Sequence, residues 1–215
     1  MKKLYKKVKN NQGFTLVEIA IVLLVFGLII GGIMGPLQVQ QENMDRKESK
    51  KNIELIKEAM VGYAIINGSL PCPSNRALAD TSPSAGVANC SQTRGFVPWV
   101  TLGIGRYDAW GRHFTYRISP TFKTAFILTD TGDITVRDAA TSGNLVVGNV
   151  PAIIVSHGKN WAGTADAEEL ENSDNDPNYV DKDYSSINGS GFDDLVDWVN
   201  LNTLMGKMVS AGKLP

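Results

Sequence analysis

Between Phe14 and Leu37 the chain carries a single charged side chain, Glu18. A run this long meets the roughly 20 apolar residues that a hydrocarbon core of about 30 Å requires, so the segment reads as a membrane-spanning helix. Ahead of it, MKKLYKKVKN places lysines at 2, 3, 6, 7 and 9 with no acid among them. Lysines on that flank hold the N-terminus in the cytoplasm and send the rest of the chain outward. A cleaved secretory signal has a shorter apolar core and a small-x-small junction behind it. Here the apolar run passes into GPLQVQQENMDRK, which is polar and compatible with helix. A plain uncleaved anchor accounts for the lysines and the apolar run but not for Glu18. A carboxylate removed from water costs several kcal/mol unless it is paired, and an ionisable group inside a span marks a functional site. Its partner must come from another chain or from a cationic terminus.

The order of these features, a basic leader, then Gly13, then FTLVE opening an apolar helix, resembles the type III leader of type IV pilins and type II secretion pseudopilins. The resemblance implies that a prepilin peptidase cuts between Gly13 and Phe14 and that the new amine of Phe14 is methylated. It also implies that Glu18 pairs with the terminal ammonium of a neighbouring subunit during assembly. The fold it implies is α+β and pilin-like: a long N-terminal helix, half transmembrane and half amphipathic, packed on a small antiparallel β-sheet head. On that reading residues 1–13 are the leader, 14–66 the helix and 67–215 a periplasmic head. The implied partners are the peptidase, other pilin-like subunits, the inner-membrane assembly platform and the lipid bilayer. The implied location is the inner membrane, single-pass, N-terminus cytoplasmic and head periplasmic, with the assembled form in a pilus or pseudopilus. The expected function is that of a structural subunit, a minor pilin or pseudopilin. Type II secretion, type IV pilus and competence machines share this N-terminus, so it does not choose among them. The alternative is an adhesin or a DNA- or ligand-binding module at a pilus tip, which exposed aromatic or basic patches on the head would favour.

The formal net charge is −1; the five leader lysines supply +5, which leaves −6 beyond residue 13. No nucleic-acid partner is expected from that balance. Past the apolar run, QVQQENMDRKESKKNIELIKEAMVGYAIIN has no proline and no glycine before Gly62. Ile53, Ile56, Met60 and Tyr63 recur at spacings of three and four, one face of an amphipathic helix, with Leu55, Ala59 and Ile66 widening the stripe. Residues 38–51 are polar nearly all round and are expected to be exposed or to face other subunits. Pro36 follows Gly31, Gly32 and Gly35, which predicts a kink or local melting. Asn67-Gly68 and Pro71 are read as the stop signals.

The head opens on an irregular stretch, SLPCPSNRALADTSPSAGVANCSQTRG, holding the only two cysteines, Cys72 and Cys90. An even count in an outward-facing domain predicts a disulfide between them. RHFTYRISP alternates, Phe114 and Tyr116 against Thr115 and Arg117, and reads as a strand. TAFILTDTGDITVRD reads as a hairpin about Thr131-Gly132, VPAIIVSHG as a buried strand and DDLVDWV as a last strand. NTLMGKMVSAG puts Leu204, Met205, Met208 and Val209 on one side of a terminal helix.

YDAWGRHFTYRI, 107–118, resembles the Asp-Pro-Trp-Gly segment of major pseudopilins, with Ala109 in the proline position. Its residues read as structural, Asp108 and Gly111 making a turn and Trp110 packing over the sheet. In those pseudopilins a Ser-x-Gly-x-Asp and an Asp-x-Asp-Ile segment help hold calcium. The corresponding candidates here are Asn160, in SHGKN, and Asp193 and Asp194, in FDDLVDW. Asn160 brings a neutral oxygen where calcium favours charged ones. The acidic stretch 166–183 offers further oxygens, or is a solvated loop; as an EF-hand it fails, with Tyr179 at the glycine position and Ser185 at the glutamate position. No catalytic role is expected: there is no HExxH, GKNWAGTA lacks the phosphate-loop lysine, and Ser156 and His157 are adjacent on a strand and so point to opposite faces.

Overall fold

The computed structural model describes residues 13–160, 166–185 and 191–214, with the side chains of 32–37 outside that set. Most of the leader, 1–12, therefore lies outside the described residues, and so does part of the 14–37 run. The chain divides into two units, Met1–Asn43 and Met44–Pro215. Helix α1 (Leu16–Asn67) begins in the first. There its apolar side chains stand in the open, Leu16 at 91 % exposure and Leu28 at 71 %. Among the described residues no helix is long and apolar enough to cross a membrane; the described side chains of the apolar run stop at Gly31. Helical backbone continues through Pro36, so the local melting expected there does not occur.

In the second unit α1 buries Ile53, Ile56, Met60 and Ala64, with Ser49 one turn before them. The buried stripe is narrower than the apolar periodicity predicts. Leu55 and Ile66 are exposed and Tyr63 only half-buried, because Ala64 takes the place at the core that Tyr63 was expected to hold. Gly68 ends the helix as read. Its φ of 76° suits a residue without Cβ, and its N–H closes on the Ala64 carbonyl at 2.8 Å.

Four strands, β1 (Arg94–Phe96), β2 (Thr115–Ile118), β5 (Ala152–Ser156) and β7 (Leu195–Val199), form an antiparallel sheet in the order β1-β2-β5-β7. A short helix, α2 (Trp99–Leu102), follows β1. Pairing sets Tyr116 opposite Ile154 and Arg117 opposite Ile153. Since side chains alternate along a strand, one face carries Tyr116, Ile118, Ala152 and Ile154. This face joins Phe114, Phe122, α1 and the terminal helix α4 (Leu201–Ser210) in the main core. In α4, Leu204, Met205 and Met208 point inward as expected, whereas Val209 is exposed.

The other face carries Thr115, Arg117, Ile153 and Val155, and a second sheet covers it. β3 (Ile134–Arg137), β4 (Leu145–Val150) and β6 (Asn178–Val180) lie in the order β4-β3-β6. Ile134, Val136, Val150 and Tyr179 fill the space with Ile153 and Val155. β3 runs parallel to β6, so a second, mixed sheet accompanies the antiparallel one expected. The hairpin about Thr131-Gly132 is absent. Residues 124–130 form no strand; a 3₁₀ turn at Pro120–Lys123 leads into them, and Phe126 tucks against Phe122 at 4.9 Å between ring centres. Only the second arm, β3, is a strand, and β4 and β6 supply its partners.

Cys72 and Cys90 are joined as a disulfide, with Cα atoms 5.0 Å apart. The stretch they close is not wholly irregular, since Ser74 bridges to Ala88 and Phe96. Asp108 makes the turn read from DAWG. Its Oδ1 accepts from the N–H groups of Trp110 and Arg112, at 3.0 and 2.8 Å, and Trp110 packs against the main core.

Candidate functional site

At the N-terminal end, Gly13 and Phe14 precede α1, and Phe14 is 78 % exposed. The Glu18 N–H donates to Thr15 Oγ1 at 3.2 Å, and the Thr15 N–H faces Glu18 Oε2 at 3.5 Å. This reciprocal pair is a capping box, T-x-x-E, which satisfies two of the donors that a helix start leaves open. Glu18 thus has a local partner within its own chain, which the sequence reading passed over although Thr15 stands three residues ahead of it. No cation lies within ion-pair distance of Glu18 among the described residues.

The second cluster is acidic and lies in the head. Asp193 and Asp194 come just before β7, Asn160 follows β5, and Glu169 sits in α3 (Ala167–Ser173). Asp166 caps α3, accepting from Glu168 N at 3.1 Å, and the helix aims Glu169 and Asn172 inward. One carboxylate oxygen from each of Glu169, Asp193 and Asp194 lies within 4.8 Å of the others. All three residues are buried, at 1 %, 7 % and 2 % exposure. Asp193 Oδ2 accepts from the N–H groups of Lys159 and Asn160 at 2.7 and 3.1 Å. The Asn160 amide donates to both Glu169 oxygens, and Asp193 N–H donates to Glu169 Oε1. Asp194 Oδ2 accepts from the Asn172 amide at 2.8 Å. Asp193 Oδ1 and Asp194 Oδ1 accept no hydrogen bond among the described residues. Gly158 makes the approach of Asp193 possible: its φ is 55°, and a Cβ there would run into the Asp193 carboxylate.

Burial raises the Glu169 carboxyl above its ordinary 4.5; Asn160 and the Asp193 N–H oppose this, and the charges of Asp194 and Asp193 add to it. Burial likewise raises Asp193, against the backbone donors of Asn160 and Lys159. Three buried carboxylates this close cannot all ionise without a counter-charge. An Asp193 oxygen without a hydrogen bond and an all-oxygen acidic donor set fit a hard divalent cation such as calcium. The structure sets Glu169, which the sequence reading missed, beside Asp193 and Asp194. Asn160 faces the cluster through its amide nitrogen, so its oxygen is not aimed there. The signal that would have found Glu169 was Asp166-Ala-Glu-Glu169, a helix-start pattern inside what reads as a solvated loop.

Ser156 and His157 take different partners. Ser156 Oγ donates to Asp108 Oδ2 at 2.7 Å, while His157 Nε2 meets Thr115 Oγ1 at 2.9 Å and its Nδ1 lies 3.5 Å from Asp194 Oδ1. Asp194, His157 and Thr115 thus line up, but all are buried and tie the start of β7 to the ends of β5 and β2.

The fold is mixed α+β with a long N-terminal helix followed by further helices and sheet, consistent with a pilin fold. Residues 8–34 match the family model described as the prokaryotic N-terminal methylation motif, the prepilin-type leader of type IV pilins and pseudopilins. That match supports a type IV pilin- or pseudopilin-like protein, a structural subunit, and implies processing by a prepilin peptidase, membrane anchoring and assembly with other pilin-like subunits. Searches of curated proteins and of solved structures returned no match.

Proposed function

We propose that this chain is a minor pilin or pseudopilin, cut between Gly13 and Phe14, methylated on Phe14 and held in the inner membrane by residues 14–37. Its N-terminus is cytoplasmic and its head is periplasmic. It is then drawn from the bilayer into a type IV pilus or type II secretion pseudopilus by the assembly platform. The observation that carries this reading is the leader match over 8–34, with Glu18 placed just past the expected cut. Apolar packing of neighbouring helices drives assembly, and the Glu18 carboxylate meets the Phe14 ammonium of the next subunit. The local bond from Thr15 keeps Glu18 partly satisfied in the stored subunit.

Two substitutions test this. Gly13→Leu leaves a precursor longer by the leader, read by mass spectrometry; normal cleavage at another junction overturns the assignment. Glu18→Ala leaves insertion and processing intact but prevents incorporation into filaments, because it strands the Phe14 ammonium without its partner. Wild-type incorporation of Glu18→Ala, with fractionation as control, overturns the assembly role.

A calcium ion in the head is a second reading, supported by the buried Asp193 oxygen that has no hydrogen bond and by the closeness of Glu169, Asp193 and Asp194. Asp193, Asp194 and Glu169 would hold it, with the Asn160 oxygen joining after its amide turns over. The ion supplies the positive charge that lets these carboxylates ionise together, and so fastens α3 and the start of β7 to the end of β5.

A further inference from the structure

Arg94 and Arg117 face each other across the first pair of strands, in register in β1 and β2. Register partners in an antiparallel pair project from the same face, so two like charges stand side by side. Both residues are 7 % exposed, inside the layer between the two sheets. Each gives one terminal nitrogen to a backbone carbonyl near the end of α3, Arg94 to Asn172 and Arg117 to Asn175, each at 3.1 Å. Asp133 reaches only a terminal nitrogen of Arg117, at 3.6 Å, and is itself 41 % exposed. Arg94 has no carboxylate within ion-pair distance among the described residues.

Three donors are left over. The Nε of Arg94 and the Nε of Arg117 are out of solvent and have no hydrogen-bond partner among the described residues, and the buried Tyr179 hydroxyl meets only the Arg94 guanidinium, which cannot accept its proton. Tyr179 projects from β6 in the second sheet and is 1 % exposed. It lies close to both guanidiniums: burial raises its phenol, and Arg94 and Arg117 oppose that rise. The Arg94 charge also reaches Arg76, which partial desolvation and then that charge lower from its ordinary value. Buried donors without acceptors are rare in proteins, and buried charges of one sign need a counter-charge. Among the described residues neither Nε meets a negatively charged acceptor, and the planar guanidinium fork suits carboxylate and phosphate oxygens.

We propose that Arg94, Arg117 and Tyr179 form a binding site for an oxyanion, a phosphate or a carboxylate group, at the seam between the two sheets. The group takes the two Nε–H donors and the phenolic hydroxyl. It also neutralises the paired guanidiniums that hold the end of α3, so occupancy stiffens the joint between the sheets. The site is separate from the acidic cluster in charge and in ligand chemistry, and it does not depend on the pilin reading.

The test uses the full chain in detergent micelles, labelled with ¹⁵N-arginine. Sodium phosphate and sodium acetate are added in separate titrations, each against sodium chloride at matched ionic strength. The expected result is a saturable shift of the Arg94 and Arg117 Nε–Hε resonances, assigned from Arg94→Lys and Arg117→Lys, while that of exposed Arg106 stays put. Response to phosphate alone points to a phosphate group; response to acetate alone, to a carboxylate. Tyr179→Phe, which keeps the ring and removes only the hydroxyl, weakens binding at least about threefold, since a hydrogen bond to a charged group is a strong one. If neither anion shifts these resonances beyond chloride in the wild-type chain, the proposal is wrong; that measurement needs no variant to fold.

Discussion

Asn160 donates its side-chain amide to both carboxylate oxygens of Glu169, at 3.0 and 3.1 Å. This contact ties the turn after β5 to α3 and caps a cluster of three buried acids. Asn160→Asp replaces the donor with a fourth carboxylate. Without metal the head should lose about 1–3 kcal/mol, the range for a buried group left unsatisfied. With calcium the same variant should gain more thermal stability than the wild type, because a ligand bound only by the folded state stabilises by mass action, about 2.7 kcal/mol at a hundredfold excess over Kd. Melting curves in calcium and in EDTA read both effects. A wild-type melting point indifferent to calcium removes the metal reading and leaves a cluster that shares protons.

Gly158→Ala should destabilise the head by about 2 kcal/mol or more, since the left-handed backbone costs a side-chain-bearing residue about 1–2 kcal/mol and the new Cβ meets the Asp193 carboxylate. Gly212 has a similar φ, 66°, with open space about it. Gly212→Ala should show the backbone cost alone. Urea unfolding with an unchanged slope compares the two; equal losses would mean that Asp193 yields freely.

The Cys72–Cys90 bridge closes a span of 18 residues. Removing it with a double Cys→Ala variant should cost about 3 kcal/mol through loop-closure entropy in the unfolded chain. Peptide mapping without reductant should recover the two cysteines in one linked fragment. Free thiols in protein taken from the periplasm would contradict the bond.

Lys57 Nζ lies 2.8 Å from Asp197 Oδ2 and joins α1 to β7. Burial lowers the lysine pKa, and the Asp197 and Glu54 carboxylates more than offset this, so the net shift is upward from 10.5. A group with a raised folded pKa stabilises fully below its unfolded value and loses that contribution as pH climbs through the folded one. The bridge should therefore hold at neutral pH and fade above about 10.5. A double-mutant cycle with Lys57→Met and Asp197→Asn should give about 0.2–1 kcal/mol at pH 7, as for other partly exposed pairs. No fall in that coupling at alkaline pH would refute the linkage.

What the sequence determined by itself was whatever is local. Gly13, FTLVE and the apolar run that follows are contiguous, so the leader could be read directly. Ile53, Ile56 and Met60 announce the buried side of α1 by helical spacing, and AIIVS and LVDWV announce strands by composition. Gly68 announces the helix end by its freedom at positive φ. The tertiary structure decided which partners those pieces take. Arg117 alternates with Tyr116 in sequence, yet it is buried too, because β3, β4 and β6 cover its face. The parallel pairing of β3 with β6 joins segments some forty residues apart, and no periodicity encodes that choice. Glu169 reads as one acid in a solvated loop and becomes the third buried carboxylate only when α3 packs near the start of β7. Periodicity reports which side of an element is apolar; burial of a charge depends on what arrives from elsewhere in the chain to cover it.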